Sequence, residues 1–271
     1  MKGWAVPRNR AFFELKGPDS VRYLNGQISN NVKDDLSQKV IAACVCTLKG
    51  KVEALIKVTS GFSPGSLLIE VDKTQEEEIF TRLDRYLIAD DCELQQLDKD
   101  PNIIHFIGYK PDGYTNAKEH WRFGVQGYDI YGEIECDDQA EIGDEHLTLL
   151  QRLHGIPEYG FEISGDEFPA SLGLDKWAVD FRKGCYLGQE IVSRMESAGK
   201  IPKRLKLYAT SNSFAAGHSF TNDTGKEIAR VIRDSIPYAE DSSGFLTSIS
   251  AKDEFAPNDF KQIAITYPVK L

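Results

Sequence analysis

Two apolar runs, 40–48 and 52–58, are separated only by Lys49-Gly50-Lys51, a link too short for anything but an antiparallel hairpin. In the second run Val52, Ala54, Ile56 and Val58 alternate with Glu53, Leu55 and Lys57, the period of a strand with one buried face. A hairpin with one apolar face needs further strands and a covering layer. Residues 67–71 supply another strand. The clearest helix is expected from Thr74: Thr74 and Glu77 have capping-box spacing, and Ile79, Leu83, Tyr86 and Leu87 recur at helical intervals. A shorter helix is expected from Gly17-Pro18-Asp19, with Pro18 at its first position, Val21 and Leu24 on its apolar side and Gly26 at its end. Residues 144–153 read as a third helix, stopped by Gly155 and Pro157.

Beyond residue 200 the pattern changes. Short β-prone runs at 205–209, 227–233, 244–250 and 262–267 are separated by Gly217, Asn222-Asp223, Pro237 and Pro257. Such spacing predicts a small sandwich or barrel, so the boundary between a mixed α/β part and a β part falls near 200. A chain of 271 residues has room for two or three units and buries roughly three-quarters of its unfolded surface without a metal or disulfide. No apolar run approaches the roughly 20 residues of a membrane span. Residues 1–10 lack a continuous apolar stretch and read as folded sequence rather than a leader. Five irregularly spaced cysteines argue against a secreted disulfide framework, so cytoplasm is the expected compartment.

The net charge of -10 disfavours general binding to phosphate backbones. Against that background, residues 175–206 carry eight basic side chains (Lys176, Arg182, Lys183, Arg194, Lys200, Lys203, Arg204, Lys206) and four acids. A local positive region suits a small polyanion or one contact with RNA; it also suits a plain solvated loop. Within it lies Arg182-Lys183-Gly184-Cys185-Tyr186-Leu187-Gly188-Gln189-Glu190, two glycines four apart around a cysteine. Glycine admits close backbone approach or positive φ. Neighbouring cations favour a thiolate, the form that attacks electrophiles. The alternative is a structural cysteine in a glycine-containing turn.

Lys183-Gly184-Cys185-Tyr186-x-Gly188-Gln189-Glu190 resembles the signature of the YgfZ branch of the aminomethyltransferase-like folate proteins, relatives of the glycine-cleavage T-protein. Arg152-Leu153-His154-Gly155-Ile156-Pro157, Glu167-Phe168-Pro169 and Leu174-Asp175 resemble the segments leading to that signature, and Ile191-Val192-Ser193-Arg194 and Gly199 to Arg204 those that follow it. Near the start, residues 15–19 and 23–27 are similar to the family's opening, and residues 48–52 to the turn that follows it. The resemblance covers about residues 13–206. It implies an α+β, three-unit cloverleaf of the aminomethyltransferase-like kind. Residues 1–200 would form a folate-binding region of two interleaved α+β units and residues 201–271 a C-terminal small β-barrel, with tetrahydrofolate or another reduced folate in the central hole. It further implies a role in making or maintaining iron–sulfur proteins, including enzymes that modify transfer RNA.

On that reading Cys185 is the functional thiol and Lys183 the group holding it ionised. Gly184, Tyr186, Gly188, Gln189, Glu190 and Arg194 belong to the folate-binding surroundings. Trp177 either stacks on a pterin or packs in the core, and Arg152 either pairs a ligand carboxylate or caps a helix. The expected partners are the folate, iron–sulfur client proteins and, secondarily, transfer RNA, with no membrane. One departure stands out. Aminomethyltransferases carry an acidic pair after the glycine-containing turn, whereas here Val52-Glu53-Ala54-Leu55 keeps one acid, and neighbours on a strand face opposite ways. An ordinary aminomethyltransferase is therefore not expected. A folate-dependent one-carbon transferase and a non-catalytic scaffold for a protein or transfer RNA are the alternatives. Cys44-x-Cys46 points both thiols to one side of a strand but lacks a second ligand pair, so core packing is preferred over a metal site. No histidines stand as a helical ligand pair, and no metal is expected.

Overall fold

A computed structural model describes residues 3–5, 9–32, 36–132, 139–140, 144–199, 201–238, 244–257 and 259–268. Cys136 and Lys200 lie outside the described residues. The chain opens with β1 (Gly3–Ala5), then builds a different sheet. Its members are β2 (Arg10–Lys16), β3 (Ile41–Cys46), β4 (Val52–Ser60), β5 (Leu67–Asp72) and β6 (Glu93–Gln96), antiparallel in the order β3-β4-β5-β2-β6. Helix α1 (Ser20–Gln27) links β2 to β3, and α2 (Glu76–Asp84) links β5 to β6. Val52, Ala54, Ile56 and Val58 are fully buried along β4, as their alternation predicts.

The chain then returns to the sheet that β1 began. Strands β7 (Ile103–Ile107), β8 (Lys118–His120), β9 (Gly127–Tyr131) and β10 (Gln139–Ala140) complete the order β10-β1-β7-β9-β8. After α3 (Asp144–Leu153) and short turns comes α4 (Gln189–Ala198). The C-terminal sheet contains β11 (Arg204–Thr210), β12 (Ser219–Thr221), β13 (Glu227–Val231), β14 (Ile236–Pro237), β15 (Phe245–Ala251) and β16 (Lys261–Ile263). The architecture is α+β, as expected. The C-terminal order is β12-β13-β15-β11-β16 with β14 on β15, and β12 and β16 remain its two edges among the described residues. The expected barrel is thus an open sheet by its hydrogen bonds. No helix among the described residues is long and apolar enough to cross a membrane.

Two helix starts need correction. Asp72, not Thr74, supplies the cap before α2: its carboxylate accepts from Thr74 N at 3.0 Å and Thr74 Oγ1 at 2.6 Å. A short turn over Lys73–Gln75 then precedes Glu76, and Tyr86 and Leu87 pack on the core from beyond the helix end. Likewise α1 starts at Ser20, after Pro18, and buries Ser20, Tyr23 and Leu24 while Val21 stays exposed. Gly17, just before Pro18, has φ 120.

A buried ionic cluster joins the first two sheets. Arg122 donates from Nη1 to Glu70 Oε1 at 2.7 Å and from Nη2 to Glu70 Oε2 at 2.8 Å, and its Nη2 also reaches Asp129 Oδ2 at 2.8 Å. Glu70 lies on β5 and Asp129 on β9. Lys57 Nζ adds a bond to Glu70 at 2.8 Å, and His105 Nδ1 and His120 Nδ1 lie 2.7 and 2.6 Å from the two Asp129 oxygens. Burial pushes both carboxyls up, but the Arg122 charge and its partners hold them well below the usual range.

Candidate functional site

The segment 180–188 is stitched to the end of α1. Asp180 N donates to Ser29 O at 2.9 Å and Leu187 N to Gly26 O at 3.2 Å. Between them Lys183 Nζ donates to the carbonyls of Asn25, Ile28 and Asn30 at 2.7, 2.6 and 2.8 Å. An ammonium has three protons, so all three are engaged. Burial lowers the Lys183 pKa to about 8, leaving it a cation at neutral pH. Its ammonium also lies 5.1 Å from the Tyr186 ring centre. Tyr186 is buried, its hydroxyl has no hydrogen-bond partner, and burial pushes that hydroxyl's pKa up.

Gly188 ends the loop with φ 84 and caps α4; a Cβ there would lie 2.4 Å from Thr47 O in the β3–β4 turn. A carbonyl in a tight turn cannot give way as a flexible side chain can. Gly188→Ala is therefore expected to cost about 1–3 kcal/mol of stability, read as a lower urea midpoint.

Cys185 is exposed and lines a cleft of about 550 Å³ together with Val21, Arg22, Asn31, Arg182 and Gly184. Arg22 is paired with Asp19 and Asp90 at 2.9 and 2.8 Å, whereas Arg182 and Lys183 bring positive charge to the cleft on the cysteine's own loop. This places a soft nucleophile at an open, cationic rim. By contrast Cys44 and Cys46 are sealed in the apolar cluster that contains Trp177, and no group of metal-ligating side chains occurs among the described residues.

A second, narrower slot is lined by Asn30, Ala42, His120, Trp121, Trp177 and Pro268. The Nε1 atoms of Trp121 and Trp177 are buried without a partner. Buried indole N–H groups ordinarily find an acceptor, so two orphans on residues lining one slot point to a missing one.

The residues singled out from sequence therefore divide. Lys183, Gly184 and Cys185 share the cleft, and Trp177 lines the slot while packing in the core. Gln189 opens α4, half-buried, and Glu190 and Arg194 pair with each other at 2.5 Å in solvent. Arg152 turns to the C-terminal sheet, donating from Nη1 to Asp234 O at 2.8 Å. Ala54 sits in the apolar core of the first sheet, and Glu53 faces Arg82 at 3.3 Å. His120, Trp121 and Asn30 escaped the sequence reading, because no spacing rule links positions 30, 120 and 177.

The chain is 26% identical over 230 residues to a mitochondrial iron–sulfur cluster assembly factor IBA57 homologue of Pyricularia oryzae, covering 79% of this chain and 59% of that protein. It is 22% identical over 213 residues to the tRNA-modifying protein YgfZ of Aliivibrio fischeri, covering 70% and 65%. The chain thus spans less than two-thirds of these relatives' length. The fold matches the glycine cleavage system aminomethyltransferase T of Bartonella henselae with a TM-score of 0.74 at 12% identity, covering 92% of this chain and 78% of that one. No family model matches. By these likenesses the chain is a relative of the YgfZ and IBA57 proteins, built on an aminomethyltransferase-like fold.

Proposed function

We propose that this chain is a reduced-folate-binding accessory factor in the assembly or maintenance of iron–sulfur proteins, including enzymes that modify transfer RNA, with Cys185 as its working thiol. The observation that carries the reading is the exposed Cys185 on a loop bounded by Gly184 and Gly188 and held by the three carbonyl bonds of Lys183. Lys183 is then a positioning residue, and Arg182 supplies positive potential at the rim. Tetrahydrofolate, which carries one-carbon units on N5 of its pterin and on N10 beside it, offers ring acceptors that suit the slot's residues. The orphaned Trp121 and Trp177 N–H groups would hold its ring, and the basic stretch its glutamate tail. Residues 1–200 form the folate-binding region in this account and residues 201–271 the smaller C-terminal unit.

Ala54, buried among apolar side chains, offers no carboxylate for aminomethyl transfer. A second reading, contact with transfer RNA, is favoured by the groove of about 240 Å³ lined by Lys176, Arg204 and Lys206. Cytoplasmic residence belongs to the proposal; the names of the IBA57 relatives carry a mitochondrial one instead, and cell fractionation decides. Expression in cells lacking their own YgfZ-type protein tests the function. Restored iron–sulfur enzyme activity and restored modified nucleosides support it, and failure of both despite full expression refutes it.

A further inference from the structure

The slot's polar lining is specific enough to state what it reads. His120 Nδ1 lies 2.6 Å from Asp129 Oδ2, and Asp129 is fixed in turn by Arg122 and His105. An ionised carboxylate only accepts, so the imidazole proton resides on Nδ1 and the lone pair is left on Nε2. Burial lowers the His120 pKa to about 4, against the opposing pull of Asp129 and with the aid of Arg122 and Lys57, so the ring is neutral at pH 7. His105 makes the matching bond but is fully buried, and a Cβ on Gly127 would lie 2.5 Å from its Nε2. Of the two imidazoles on Asp129, His120 lines the slot.

The same slot is lined by Trp121 and Trp177, whose buried indole N–H groups lack acceptors; Trp177 is only 8% exposed. Val40, Ile41, Ala42 and Pro268 supply apolar walls. The slot itself holds only about 30 Å³. A ring edge enters such a space, with the rest of the ring in the mouth.

We infer that His120 Nε2, Trp121 Nε1 and Trp177 Nε1 together read the polar edge of a flat heterocycle: the imidazole accepts from a ring N–H and the indoles donate to neighbouring carbonyl or ring-nitrogen acceptors. A lactam edge, N–H beside C=O, has this pattern, and a 4-oxopteridine carries one. The inference rests on the folate reading above and adds to it the atoms that recognise the ring. His120 is a binding residue here, and the Asp129–Arg122 cluster sets which of its nitrogens faces the ligand.

The test titrates the protein with 5-formyltetrahydrofolate and, separately, with p-aminobenzoylglutamate, which lacks the pterin. The expected results are saturable binding of the folate, a shift of the His120 Nε2 nitrogen resonance on binding, and about tenfold weaker folate affinity in both His120→Phe and Trp177→Phe. The pterin-free fragment should bind both variants as it binds wild type. The wild-type resonance needs no variant to fold, so the imidazole arm is readable in any case. Folate binding with an unmoved His120 resonance, or with unchanged affinity in His120→Phe, overturns this inference and leaves the folate reading standing. No folate binding by the wild type overturns both.

Discussion

An Arg122→Ala protein unfolds about 3–5 kcal/mol more easily than the wild type, because it leaves two buried carboxylates without the cation between them. Arg122, Glu70 and Asp129 are all at least 97% buried, and among the described residues Arg122 alone bonds both acids. Lys57 and Arg10 remain beside Glu70 but cannot reach across to Asp129's sheet as the guanidinium does. Arg122→Lys should rescue little, since one ammonium cannot reproduce the paired bonds to Glu70. Combining Arg122→Met with Lys57→Met, Glu70→Gln and Asp129→Asn should recover part of the loss, because the buried ions are then removed together while Arg10 keeps Asp72. Urea denaturation of the three proteins measures this. Wild-type stability also has a defined acid side. The two carboxyl pKa values are depressed, so their contribution is complete above about pH 4.5 and is lost as pH falls. His120, depressed from 6.5 to about 4, adds a loss in the same direction across that interval, since the unfolded chain takes up its proton first. An Arg122→Ala protein as stable as wild type contradicts the role given to this cluster.

Cys185→Ser abolishes rescue in cells lacking their own YgfZ-type protein, while its unfolding midpoint stays within about 0.5 kcal/mol of wild type. The side chain is exposed and no packing depends on it, and a serine hydroxyl does not ionise near neutral pH as a thiol can. Lys183→Ala behaves oppositely in one respect. It removes three bonds to the carbonyls after α1 and so costs about 1–3 kcal/mol in addition to its effect on function. Comparing the two variants separates the chemistry of the thiol from the positioning of its loop. Full rescue by Cys185→Ser removes the thiol from the account.

Local pattern carried much of this structure. The β3–β4 hairpin, α3 over Asp144–Leu153 and the β-rich tail follow from alternation, helical spacing and breaker residues. The parity of Cys44 and Cys46 foretold their shared burial, and Gly188 has the positive φ its place in the loop suggested. What escaped is non-local. Glu70, Arg122 and Asp129 look like ordinary surface charges until two sheets bring them together. The three-residue strand β1 leaves no periodicity to read, yet it pairs with β7 and β10 about 100 residues or more along the chain. Strand propensity says nothing of closure, and the barrel that the family resemblance implied is, among the described residues, a sheet with two edges. Trp177 had two readings, stacking surface or core, and packing makes it a core residue with one edge on the slot.

The account turns on whether a reduced folate binds this chain. Calorimetric titration with tetrahydrofolate under anaerobic, reducing conditions answers that directly. The structure's cation-rimmed cleft and donor-lined slot predict saturable binding in the micromolar range, weakened by Lys183→Ala through displacement of the loop. Absence of heat at millimolar folate, with the protein folded, would contradict the claim and leave a scaffold that works through protein or RNA partners alone.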